Sequence, residues 1–161
     1  MNALLAALVL GTGLRLDLPE EAPTLGGVEV DLRWHLLPDA FVGGALAWEG
    51  GVNDTNPNHL LISQRIEAVA LLGALLPVAH GYAVGATARA GVARLEGWPR
   101  GALTATRQFS PSLGGGLNAW LGLGEGLALE PRLETSFVRV GSDWRVVPGV
   151  AIALLIALDD P

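Results

Sequence analysis

The chain has 161 residues, of which 50% are hydrophobic and only 16% charged, with a formal net charge of −6. That length suits one domain, and the charged share falls below the roughly 25% of ordinary soluble domains. The absence of Cys excludes disulfides, thiol catalysis and thiolate metal sites. An acidic balance with no basic run and no aromatic stacking platform excludes nucleic acid as a partner.

The first apolar segment, Leu4 to Leu16, alternates Leu8, Leu10, Leu14 and Leu16 with Val9, Gly11, Gly13 and Arg15. Residues 3–10 also resemble the apolar core of a signal peptide, but no basic segment precedes them and no A-x-A site follows. They are read here as a first strand. A polar stretch, Pro19 to Thr24, leads to the second segment, Leu25 to Leu37. Its core, V-E-V-D-L-R-W-H-L (Val28–Leu36), is the clearest pattern in the chain. Val28, Val30, Leu32, Trp34 and Leu36 alternate with Glu29, Asp31, Arg33 and His35. Successive side chains of a strand point to opposite faces, so period two gives one apolar and one ionic face. A helix would scatter both sets around its circumference.

Pro38-Asp39 reads as a tight turn into the third segment, Ala40 to Glu49, where Val42, Leu46 and Trp48 oppose Gly43, Ala45, Ala47 and Glu49. Gly50 to Asn58 reads as a loop. The fourth segment, Leu60 to Leu75, carries Ser63, Arg65 and Glu67 on one face. The uncharged run Ala68 to Ala88 is long enough for a membrane helix, but Gly73, Pro77, His80, Gly81 and Gly85 interrupt it. Residues 77–81 read better as a turn between strands. The fifth segment, Tyr82 to Leu95, sets Gly85, Thr87, Arg89 and Gly91 against Val84, Ala86, Ala88 and Val92. A long loop is expected from Glu96 to Ser110. The sixth segment, Ser112 to Leu123, and the seventh, Leu127 to Arg139, flank the turn Gly124-Glu125-Gly126. After Gly141-Ser142-Asp143 the eighth runs from Trp144 to Leu158.

Short connections after segments two, four and six, against longer ones after one, three and five, place short turns at one rim and loops at the other, although the connection after seven is short and breaks the trend. An even strand number puts both termini on the short-turn side. Phe41, Tyr82 and Trp34 fall near the short-turn rim, and Trp48, Phe137 and Trp144 near the long-loop rim, with aliphatic residues between. Two aromatic girdles around an aliphatic band suit a bilayer. Trp120 is the exception, since its parity points it inward.

Parity collects Asp17, Glu29, Asp31, Glu49, Glu67, Glu130 and Glu134 with Arg15, Arg33, Arg65, Arg89, Arg132, Arg145 and His35 on the ionic face, among small residues. An eight-stranded barrel has an interior just filled by its own side chains. Near balance of sign lets buried charges compensate each other. The expectation is a closed, ion-paired lumen, with a structural salt-bridge core outweighing an ion or proton path. A soluble lipocalin-like barrel would invert the faces. It would have to fit Leu, Ile, Val and Trp from nearly every strand into one narrow interior, and it would show water a face rich in Gly and Ala.

The pattern resembles the small eight-stranded outer-membrane barrels, the class of the transmembrane domain of outer-membrane protein A. The resemblance spans the chain and rests on Val28–Leu36, on L-E-P-R-L-E-T-S-F (Leu129–Phe137) and on the final strand from Trp144 to Leu158. None of these is a specific family motif. The resemblance implies an antiparallel up-and-down transmembrane β-barrel in the bacterial outer membrane, a monomer in contact with membrane lipid. The chain departs from the class at its end. Leu158 is followed by Asp159-Asp160-Pro161, where such barrels close on an aromatic residue. Pro131 and Pro148 inside strands each remove a ladder donor.

Catalysis would need a rim constellation of His with Ser and an acid. His59 lies near Asp54 and Ser63, His80 sits in a turn, and His35 belongs to the ionic face. No H-x-S pair, metal spacing or phosphate loop accompanies them, so no enzyme, metal or cofactor is expected. The expected role is structural, or the presentation of loops 50–58 and 96–110 to protein partners that the residues do not identify. A narrow ion or solute pore is the alternative use of the same lumen.

Overall fold

A computed structural model describes residues 8–18, 24–51, 61–98, 106–140 and 142–158. Eight strands are present: β1 (Leu8–Asp17), β2 (Leu25–Leu37), β3 (Ala40–Gly51), β4 (Leu61–Ala79), β5 (Tyr82–Trp98), β6 (Thr106–Gly124), β7 (Leu127–Val140) and β8 (Asp143–Ala157). Each pairs with its sequence neighbours, and β1 pairs antiparallel with β8, so the sheet is a closed up-and-down barrel without an edge. Closure satisfies every strand's ladder internally, the requirement for a sheet in hydrocarbon.

Period two holds in β2. Glu29, Asp31 and Arg33 are buried, and Val28, Val30, Leu32 and Trp34 are exposed on the outside. The turns at residues 38–39, 80–81 and 125–126 lie at the rim that holds the ends Leu8 and Leu158. Gly81 and Gly126 adopt left-handed backbone (φ 78° and 70°), which suits two-residue hairpin turns and which glycine reaches without strain.

Several boundaries differ from the expectations. The turn expected over 77–81 is confined to His80-Gly81, because β4 continues to Ala79 with an irregularity between Pro77 and Ala79. Proline is tolerated here for a geometric reason. The Leu75 amide donates to Asp39 O (2.7 Å), so amides of this parity face β3, which ends at Ala40. The donor that Pro77 lacks has no strand to meet. Pro131 coincides with a lapse in the β6–β7 ladder between Asn118↔Arg132 and Leu121↔Leu129. Pro148 lies opposite the end of β1, where its carbonyl still accepts from Leu18 N (2.8 Å).

The loop expected over Glu96–Ser110 is shorter than read. Residues 96–98 and 106–110 extend β5 and β6, with Glu96 paired to Arg107 and Arg94 to Phe109. Polar composition there marks strand above the apolar band. Gly50 and Gly51 likewise close β3. Residues 52–60 and 99–105, the signal-like segment through Ala7, His59, Asp54 and Asp159–Pro161 lie outside the described residues.

Candidate functional site

The lumen is stratified, and each layer follows from the side chains that share a height in the wall. At the short-turn end the plug is apolar. Val9, Phe41, Leu71, Leu75, Ala83, Trp120, Ala128, Ala153 and Leu155 form one buried cluster. Phe41 was expected in the short-turn girdle. It is instead fully buried, because it shares inward parity with Ala45, Ala47 and Glu49. Its ring occupies the space beside Gly73, its cross-strand partner, and a Cβ there would overlap it. Trp120 also points inward and closes the plug. His35 packs against both rings, with centroids 5.6 Å from Phe41 and 5.5 Å from Trp120. Its two ring nitrogens are buried without a hydrogen-bond partner. His35 therefore belongs to the aromatic plug, and no carboxylate pairs with it among the described residues. Arg33 joins the layers, with its guanidinium 5.1 Å from the Phe41 centroid and 5.7 Å from that of Trp120.

Above the plug lies an ionic layer in two linked groups. The lower is centred on Glu130. Arg33 donates to both of its oxygens (Nη1 to Oε1 2.7 Å, Nη2 to Oε2 2.6 Å). Asn118 Nδ2 (2.6 Å) and Trp120 Nε1 (2.9 Å) donate to Oε1. Arg33 Nε also donates to Asp31 (2.6 Å). The Asp31 carboxyl fits because its neighbour across the ladder is Gly11, where a Cβ would fall 2.7 Å from Asp31 Cγ.

The upper group holds Arg15, Arg65, Arg89 and Arg132 with five carboxylates. Arg15 donates to Asp17 through Nε (3.0 Å) and to Glu29 and Glu67 through Nη1 (3.3 and 3.2 Å). Arg65 donates to Asp17 (2.6 Å) and Glu67 (2.7 Å), and Ser112 Oγ donates to Glu67 in a short contact. Arg89 holds Glu29 (2.5 Å) and Glu134 (2.9 Å). Arg132 donates to Glu29 (2.7 Å) and lies 3.7 Å from Glu130, which ties the two groups together.

Glu49 is the weakest member. Its Oε1 is 2.9 Å from Arg15 Nε, yet neither oxygen accepts an aligned hydrogen bond, because that N–H points at Asp17. Buried carboxylates (Asp17, Glu29, Asp31, Glu49, Glu67, Glu130, Glu134) exceed buried guanidiniums (Arg15, Arg33, Arg65, Arg89, Arg132), seven to five. The least bonded acid is therefore the one whose charge contributes least. A second apolar cluster, Ala93, Leu95, Val138 and Val147, lies toward the long-loop end.

Besides His35, Arg145 departs from the expected ion-paired lumen. Arg145 has inward parity on β8 and pairs with Val138, but it is exposed. Parity gives the face, whereas height decides burial, and Arg145 sits above the packed layers. Parity also turns Ser112, Asn118 and Ser136 inward, and their hydrogen bonds help fill the layer although a reading of charges alone left them out of the network.

No described protein family and no curated protein matches the sequence. The fold does match solved structures. Neisserial surface protein A superposes with a TM-score of 0.73 at 7% identity, covering 94% of this chain and 96% of that one. The N-terminal β-barrel domain of Pseudomonas aeruginosa OprF gives 0.58 at 12% identity, covering 94% and 98%. Ail of Yersinia pestis gives 0.56 at 10%, covering 94% and 97%. The chain has the fold of the small eight-stranded outer-membrane β-barrels.

Proposed function

We propose that this chain is a monomeric barrel of the bacterial outer membrane with a closed lumen, whose role is structural or the presentation to protein partners of the connections between β3 and β4 and between β5 and β6. The observation that carries this reading is inverted polarity. Leu14, Leu72, Leu117 and Leu133 are 61–66% exposed on the outer wall, while twelve charged side chains are buried inside. An apolar belt of that extent in water would drive association, whereas lipid accepts it. A lipocalin-like barrel needs the bulky face inward, and here it points outward. The likeness to outer-membrane barrels supports the same location.

Circular dichroism in detergent and in plain buffer tests the reading. A β spectrum is expected only with detergent or lipid. A monodisperse β protein in buffer would defeat it.

The barrel is read as conducting nothing at a useful rate. Two apolar layers bracket the ionic one, and Arg33 and Glu130 bridge strands β2 and β7 across the bore. Planar-bilayer recording of the purified monomer should show negligible current. A stable, large conductance would recast the same Arg and Glu residues as a selectivity lining. The reading includes no catalysis. His35 is packed against the Phe41 and Trp120 rings with neither nitrogen hydrogen-bonded, so it has no hydroxyl or acid partner of a triad.

A further inference from the structure

Among the described residues, the outward faces of the strands carry four charged side chains, Arg94, Glu96, Arg107 and Arg139. All four lie on the adjacent strands β5, β6 and β7, in the last rungs before the long-loop rim. Elsewhere the outward faces are apolar or neutral. The ladder sets these residues in short rows. Arg94 pairs with Phe109 on β6. Arg139 pairs with Trp144 on β8, and its backbone is tied to β6 by an amide that donates to Ser110 Oγ (2.7 Å) and a carbonyl that accepts from Gln108 Nε2 (3.0 Å). Two of the cations therefore each stand beside an exposed ring, Arg94 by Phe109 and Arg139 by Trp144. A further row is Glu96 and Arg107. Glu96 accepts from both Arg94 Nη2 (3.0 Å) and Arg107 Nε (3.2 Å). One carboxylate cannot satisfy two forked guanidiniums, and Arg107 is 67% exposed. The patch keeps a net positive charge in a chain whose total is −6.

We propose that this rim patch binds the phosphate groups of a phosphorylated glycolipid in the leaflet at the long-loop side. The proposal rests on the outer-membrane reading above. Planar guanidiniums grip phosphate oxygens through paired hydrogen bonds, and the headgroup layer is where exposed Phe and Trp rings settle. Below the rows the wall turns apolar through Leu113 and Phe137, which gives acyl chains a surface next to the held headgroup. A lipid phosphate fits this placement better than a soluble anion, since the arginines project from the lipid-facing side of the wall.

The test compares diphosphoryl lipid A with its dephosphorylated form, each added to the protein in phosphatidylcholine vesicles, with bound glycolipid measured after detergent extraction. The parent should prefer the phosphorylated form by at least about tenfold, an ordinary value for charge-assisted hydrogen bonds. The triple variant Arg94→Gln, Arg107→Gln, Arg139→Gln should lose that preference and still bind the dephosphorylated form as the parent does. Glu96→Gln should strengthen phosphate binding by removing the competing acceptor. Equal retention of the phosphorylated form by parent and triple variant, or no phosphate preference in the parent, would overturn the proposal. Failure to insert into the plain vesicles would show before any glycolipid is added, and it would overturn the barrel reading itself.

Discussion

Glu130→Ala is expected to destabilise the folded barrel by about 3–5 kcal/mol, the usual penalty for leaving a buried charge without its partner. Glu130 is fully buried and accepts four hydrogen bonds, two from Arg33 and one each from Asn118 and Trp120. Its removal orphans the Arg33 guanidinium, which is buried against the aromatic plug, and leaves Asp31 as the remaining close acceptor. Neutralising the whole lower group, Arg33→Met with Asp31→Asn and Glu130→Gln, should cost less than Glu130→Ala alone, since neither a guanidinium nor a carboxylate of that group is then left without its partner. Glu49→Gln is the contrasting change. It reduces the excess of acids and disturbs no aligned hydrogen bond, so stability within about 1 kcal/mol of the parent is expected. Urea titrations in lipid vesicles measure all three. A silent Glu130→Ala would show that the lower ionic group does not hold the barrel together.

The amino-acid pattern displayed the wall and concealed the partners. Alternation in Val28–Leu36 exposed both faces of β2, because every residue there lies within the apolar band and its polarity reports its side. Alternation cannot report height. Arg145 and Arg33 have equal claim to the lumen by parity, and only the length of the packed layer separates them. Pairing across the bore was likewise hidden. Arg33 meets Glu130 from β7 although 97 residues separate them, and the meeting depends on how the staggered strands close. Phe41 shows the converse error. An aromatic at a strand start suggests an interfacial anchor, yet inward parity outranked composition, and Gly73 had left the room. Polarity at 96–98 and 106–110 suggested a loop because strands above the apolar band no longer need apolar side chains.

The outer wall should answer to charge by depth. Leu32, Leu117 and Ile152 are 46%, 66% and 44% exposed and lie mid-strand, with Leu117 paired to Leu133 and Ile152 to Leu14. Replacing any one with Arg puts a guanidinium in the centre of the apolar belt, where no acid on the outer face can pair with it. The expected cost is about 2–4 kcal/mol of stability in lipid. Leu158→Arg, at the short-turn rim, should cost about 0–1 kcal/mol, since the side chain reaches the headgroup layer. The gradient separates lipid contact from ordinary packing. If these side chains were held in a protein interface, Leu→Ala would hurt nearly as much as Leu→Arg at every depth. In lipid, Leu117→Ala costs only the lost transfer of a few methyl and methylene groups. Equilibrium refolding into vesicles reads the series directly. Silence at all three central positions would mean that the apolar face does not meet hydrocarbon, and the face assignment would fall with it.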